Sequence, residues 1–196
     1  CFSDAVGVGH RGRRLPFGGP VVFLSSPGIV MKATCHTRDM AEPFVPDDFE
    51  APSGLQRPGM RLEPLGPEHN ERDHEAWSSS IDHIRATPGF QMSDAEGDPE
   101  ARWPRPMSLE ENLGDLQRHA ADFAARRGFT YSVLDPDTDE VIGCVYIYPS
   151  KDDDHDARVE SWVRASRAEL DTALWHAVSD WLDSDWPFSR VDYRGG

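Results

Sequence analysis

The 196 residues carry 35 Asp and Glu against 20 Lys and Arg, a formal net charge of −15, with 38% hydrophobic residues that include six Trp and nine Phe. That is enough apolar material for one packed domain with appendages, and so acidic a chain lacks the basic footprint that nucleic-acid or anionic-membrane binding requires. The charge is unevenly spread: residues 1–40 are net +3 and residues 41–196 net −18, an acidity that serves solubility first and permits a cationic partner.

Residues 1–40 are interrupted by Pro16, Gly18, Gly19, Pro20, Pro27 and Gly28, and the expectation is a disordered N-terminal extension. Residues 7–12 match the pattern GxGxxG, but no strand precedes them and Pro16 follows, so the strand–turn–helix setting of a dinucleotide site is missing. The apolar run at 21–24 is broken by Ser25-Ser26-Pro27-Gly28, too short for an export signal or a membrane span. Cys1, Cys35 and Cys144 share no CxxC spacing, which predicts neither a disulfide framework nor a zinc site and points to the cytoplasm. Residues 41–59, with Pro43, Pro46, Pro52 and Pro58, read as an extended arm or linker, and residues 60–196 as the domain.

Within the domain, residues 60–65 alternate apolar and polar as a strand does. Pro67 followed by Glu68, Glu71, Asp73 and Glu75 suits a helix start, because acid in the first turn complements the helix dipole. The expectation is a helix near 67–77, a second near 78–86, and a loop over 87–107. Ser108 with Glu111 three residues on is a capping box. Leu109, Leu113, Leu116, Ala120 and Phe123 then form an apolar stripe, and Gly128 is expected to stop the helix. Phe129, Tyr131 and Val133 alternate, Asp135-Pro136-Asp137 turns the chain, and residues 141–148 return as the antiparallel partner. The stretch 157–165 alternates again, and Leu170, Leu174, Val178, Trp181 and Leu182 mark a helix. Residues 188–193 give a last strand. Mixed order with hairpins and one crossover predicts an α/β (mixed α+β) domain, a central mixed sheet flanked by helices.

This order, the hairpin at 129–148 and the junction from Glu-Ser-Trp-Val-Arg-Ala-Ser into a helix resemble the GCN5-related N-acetyltransferase (GNAT) family over residues 60–193. The resemblance implies an acyl-CoA N-acyltransferase-like fold, here C-terminally short, with acetyl-CoA as co-substrate and no metal. It implies an amine acceptor on a small molecule or peptide, and allows a homodimer. By position it makes Glu160 the general base and places the cofactor on Trp162, Val163, Arg164, Ser166 and Arg167; the family's helix-borne tyrosine has no counterpart, and Tyr193 is a candidate proton donor beside Tyr146 and Tyr148. The family's Gln/Arg-x-x-Gly-x-Gly/Ala loop is replaced by Arg-Ala-Ser-Arg-Ala-Glu-Leu-Asp at 164–171, and no glycine occurs between Gly143 and Gly195. Glycine lets backbone approach phosphates closely, and Glu169 and Asp171 repel them. The alternative is a non-catalytic domain of this fold that binds a ligand or protein partner.

The residues carry rival readings as well. Glu160 shares a strand face with Arg164 and Trp162, so an ion pair competes with the base role. Tyr146 and Tyr148 suit packing as well as proton donation. The acidic run Asp152-Asp153-Asp154-His155-Asp156 lacks the glycine and terminal glutamate of an EF-hand loop, and His69 and His74 are five apart rather than the four of HExxH.

Overall fold

The computed structural model describes residues 43–88 and 103–194; the expectation for residues 1–40 and most of that for the loop 87–107 lie outside them. Six strands form one sheet in chain order: β1 (Leu55–Arg57), β2 (Met60–Pro64), β3 (Phe129–Leu134), β4 (Val141–Pro149), β5 (Ala157–Val163) and β6 (Val191–Tyr193). Neighbours are antiparallel except β5 and β6, which run parallel. A parallel pair needs a crossover, which α4 (Asp171–Asp185) supplies. The other helices are α1 (Asn70–Ser78), α2 (Ile81–Ala86) and α3 (Leu109–Ala124).

Both sheet faces are covered. Tyr131, Val145, Ile147, Val159 and Val163 pack against α4 through Leu174, Val178, Trp181 and Leu182. On the opposite face Cys144, Tyr146 and Trp162 meet Ala76 and Trp77 of α1, Ile84 of α2 and Leu116 of α3. Because strand side chains alternate, neighbours on β5 belong to different layers, Val159 and Val163 to one, Glu160 and Trp162 to the other. On β4 the alternation flips once. Val133 pairs with Gly143 but Leu134 pairs with Val141, so Ile142 is an extra bulged residue. A strand buried on both faces with a bulge reads as one unbroken apolar run, as residues 141–148 do.

Residues 43–59 are extended and lie on the sheet, burying Val45 and Leu55. Their last part is β1, joined to β2 by a two-residue turn at Pro58-Gly59, where Gly59 has φ +76°. Such a turn suits proline followed by a residue with positive φ.

The capping box of α3 is formed as the sequence predicts: the Glu111 amide donates to Ser108 Oγ at 3.2 Å and the Ser108 amide to Glu111 Oε2 at 2.8 Å. Its C-terminus differs from the expectation. The left-handed residue is Arg126, φ 59°, and the amides of Arg126 and Arg127 donate to the carbonyls of Phe123 and Asp122 at 3.1 and 2.9 Å, the two bonds of a Schellman ending. Gly128 serves packing instead. A Cβ there would lie 2.2 Å from the Tyr148 ring. Gly128→Ala is therefore expected to destabilise the protein by about 1–3 kcal/mol, read as a lower urea midpoint at unchanged m-value; an unchanged midpoint would show that Tyr148 yields freely.

Candidate functional site

The parallel pair opens partway along. Ala157, Arg158 and Val159 pair with Val191, Asp192 and Tyr193, and the β5–β6 ladder ends there. The ladder thus stops four residues before β5 ends at Val163 and the chain turns into α4. Glu160 sits at the opening, 6% exposed, accepting from the guanidinium of Arg158 and facing Tyr146 across β4. Tyr193 is placed differently. Its hydroxyl lies 2.7 Å from Ser161 Oγ, and Ser161 points to the face opposite Glu160. Burial pushes the Tyr193 hydroxyl well above its ordinary pKa. The structure thus brings Glu160 and Tyr193 to one stretch of strand but to opposite faces.

The other expected binding residues fall into two groups. Trp162 is fully buried and donates its Nε1–H to Tyr146 Oη at 3.2 Å, and Val163 is buried on the α4 side; their side chains build core. Residues 165–170 form a 3-10 segment before α4 becomes regular, with Ser166 exposed. The Arg164 amide donates to the Ile142 carbonyl at 2.8 Å, and the Arg167 amide to the Arg164 carbonyl at 2.9 Å. The Ala165 amide donates to Ser80 Oγ at 3.0 Å. The Arg164 guanidinium makes a bidentate pair with Glu75 of α1, at 2.9 and 2.6 Å, and that of Arg167 pairs with Asp135 and, at 3.2 Å, with Glu169. Asp135 is held below the usual carboxylate range chiefly by its hydrogen bond from Arg167.

A second polar centre, invisible in the apolar stripe, lies on the Glu160 face. On α3 the buried residues are Asn112, Leu116 and His119, while Leu109 is 46% exposed. The packing face is rotated from the expected stripe and carries two polar side chains. Asn112 accepts from Trp77 Nε1 at 2.9 Å and donates to Asp73 Oδ2 at 3.0 Å. Burial raises the Asp73 pKa to about 6. His119 Nε2 faces the Arg118 guanidinium at 3.3 Å, a donor, so Nδ1 carries the proton toward Tyr148 Oη, 2.8 Å away, and Thr130 Oγ1, 3.1 Å away. The imidazole is neutral, and burial drives its pKa down to about 4. Asp73, His119 and Tyr146 line a cavity of about 130 Å³. The sequence signal for this centre was the 112–116–119–123 spacing, legible only if polar residues are admitted to a buried face.

No protein-family profile matches the sequence, and no curated protein does. Solved structures resemble it in shape. The ribosomal-protein-S5-alanine acetyltransferase of Vibrio fischeri is similar with a TM-score of 0.53 and 13% identity, over 70% of this chain and 71% of that one. A second structure, named as a probable acetyltransferase, gives 0.51 and 14% over the same shares, 70% and 71%. This chain has the GNAT fold. RimL, a ribosomal L7/L12 alpha-N-protein acetyltransferase, is similar at 0.49 and 11%, and this chain spans 62% of its length.

The end of the β5–β6 ladder brings the buried carboxylate of Glu160 beside the last residues of β5. The loop at 164–171 does not fit the phosphates as it is folded: its arginines are paired with acids and the amides of Arg164 and Ala165 are committed. A phosphate would have to replace the Glu75 carboxylate on Arg164. A larger groove of about 510 Å³, bounded by Phe44, Arg126 and Pro149, lies at the opposite end of β4 from Gly143 and Val163. No helix among the described residues is long and apolar enough to cross a membrane.

Proposed function

We propose that this GNAT-fold domain is an N-acetyltransferase that moves an acetyl group from acetyl-CoA to an amine on a small molecule or peptide. The observation that carries this reading is the end of the β5–β6 ladder at Val159, next to the buried carboxylate of Glu160. Acetyl-CoA supplies an activated thioester. The chain supplies a carboxylate at Glu160 to take the proton of the acceptor ammonium, with Arg158 fixing its orientation. The new amide bond forms as the thioester C–S bond breaks and the CoA thiolate leaves, and Tyr193, held by Ser161 on the other face, is the donor of the thiolate's proton in this reading. The acidic body draws a cationic acceptor.

A specific observation favours a second reading, a non-catalytic domain that uses the same cleft for a ligand: Glu75 and Ser80 occupy the donors at the start of the loop. Calorimetric titration with acetyl-CoA separates the two. Saturable heat supports the transferase, and no heat at millimolar cofactor overturns it. In the transferase reading Glu75→Gln frees Arg164 for a phosphate and tightens acetyl-CoA by about tenfold, while Arg164→Glu weakens it by about 1–3 kcal/mol. Equal affinity in all three proteins would place the phosphates elsewhere.

A further inference from the structure

We propose that the cavity between α1, α3 and β4 is a binding site for a small organic ammonium group, neutralised by Asp73 and enclosed by Trp103, Tyr146 and His119. Binding there needs no cofactor. Asp73 is 5% exposed, and its only hydrogen bond among the described residues is the one Oδ2 accepts from Asn112. Asn112 has nothing further to offer, since its Oδ1 accepts from Trp77 and its Nδ2 also serves Asn70. Oδ1 of Asp73 is left to whatever fills the cavity.

Among the described residues no cation satisfies Asp73. His69 Nδ1 accepts from the Gly66 amide while its Nε2–H donates to Glu63, so that ring is neutral. His119 is neutral by the same reasoning, with Nε2 accepting from Arg118 and Nδ1–H directed at Tyr148 and Thr130. His74 spends its Nε2–H on the Met107 carbonyl. Arg118 is paired with Asp115, so these two wall charges offset each other. Buried carboxylates are ordinarily paired with a cation, and here one with no cationic partner among the described residues lines a space of about 130 Å³, room for about four waters or a small head group.

The chemistry of the walls selects the ligand. Tyr146 stands 6.4 Å from Trp103 and 5.5 Å from His119, centroid to centroid, and aromatic walls favour an organic cation over a hydrated metal ion. Among the described residues no group of three His, Cys, Asp or Glu is placed to hold a metal. A guanidinium seeks both carboxylate oxygens, whereas only one is open, which suits the point charge of an ammonium. Tyr146 also pairs with Glu160 across the strands, so the bound group lies on the Glu160 face.

The test uses the full chain at pH 8 without acetyl-CoA, titrated with n-propylammonium or tetramethylammonium chloride against sodium chloride at equal ionic strength. Binding is followed by tryptophan fluorescence and by the carbon-13 carboxyl signal of Asp73. A saturable response to the organic cations alone is expected, with the Asp73 titration midpoint falling as ligand binds. Asp73→Asn should weaken binding at least about tenfold, and Trp103→Ala several-fold. The same response to sodium, or an Asp73 midpoint that ligand does not move, overturns the proposal and leaves a cavity holding water only. The wild-type midpoint decides the matter even if a variant folds poorly, and because no cofactor is present, failure here leaves the transferase reading untouched.

Discussion

Replacing Trp162 by alanine is expected to remove about 3–5 kcal/mol of stability, the range for a large buried aromatic cut to a methyl. The indole is fully buried, touches the Trp103 ring at 6.1 Å, and spends its N–H on Tyr146. Deleting it opens a cavity between β5 and α1 and strips Tyr146 of a donor. Trp162→Phe keeps most of the volume and loses the hydrogen bond, so about 1–2 kcal/mol is expected. Ser166→Ala, at an exposed position two residues beyond the strand, should stay within about 0.5 kcal/mol. Urea denaturation of the three variants orders them. A Trp162→Ala protein as stable as Ser166→Ala would mean that the α1 layer closes over the gap, contrary to the packing described.

That contrast marks what a linear reading can reach. The β5–α4–β6 unit was legible because each piece announces itself locally: alternation in residues 157–163, a helical stripe from Leu174 to Leu182, a proline break before the last strand. The capping box at Ser108 was legible for the same reason. What was missed depends on contacts distant in sequence. Glu75 and Arg164 are 89 positions apart, so nothing in the local pattern discloses that the arginine is already engaged. Gly128 looked like a helix stop because glycine commonly is one; its use against Tyr148, 20 residues on, appears only when β3 and β4 stand side by side. On α3 the rotation of the buried face is fixed by Trp77 and Asp73 on another helix, which give Asn112 its hydrogen bonds. Strand β1, three residues long, is below the length at which alternation can be told from an extended arm.

Asp73→Asn should make the protein more stable at pH 7–8, by about 2–3 kcal/mol. The carboxyl has a pKa of about 6 in the fold against 3.8 when free, chiefly through burial, and each unit is worth about 1.4 kcal/mol. Between these values the folded chain retains a proton that the unfolded chain has released, so this group makes stability fall as pH rises from about 4 to 6. Above that window the cost is constant, and an asparagine, whose side-chain oxygen still accepts from Asn112, removes it. His119 acts in the opposite sense. Its pKa is driven from 6.5 to about 4, so the unfolded chain binds the proton first and stability rises with pH over that interval. The two slopes oppose each other, so these two groups together add little net slope to the wild-type profile between pH 4 and 6. Asp73→Asn uncovers the rising slope of His119, and His119→Gln the falling slope of Asp73. Urea midpoints from pH 4 to 8 give all three curves; an Asp73→Asn protein no more stable than wild type at pH 8 would show that the carboxylate is already neutralised in the fold. A gain of the expected size would instead mean that the chain keeps a charge it is less stable for having, in a position where that charge faces an aromatic cavity.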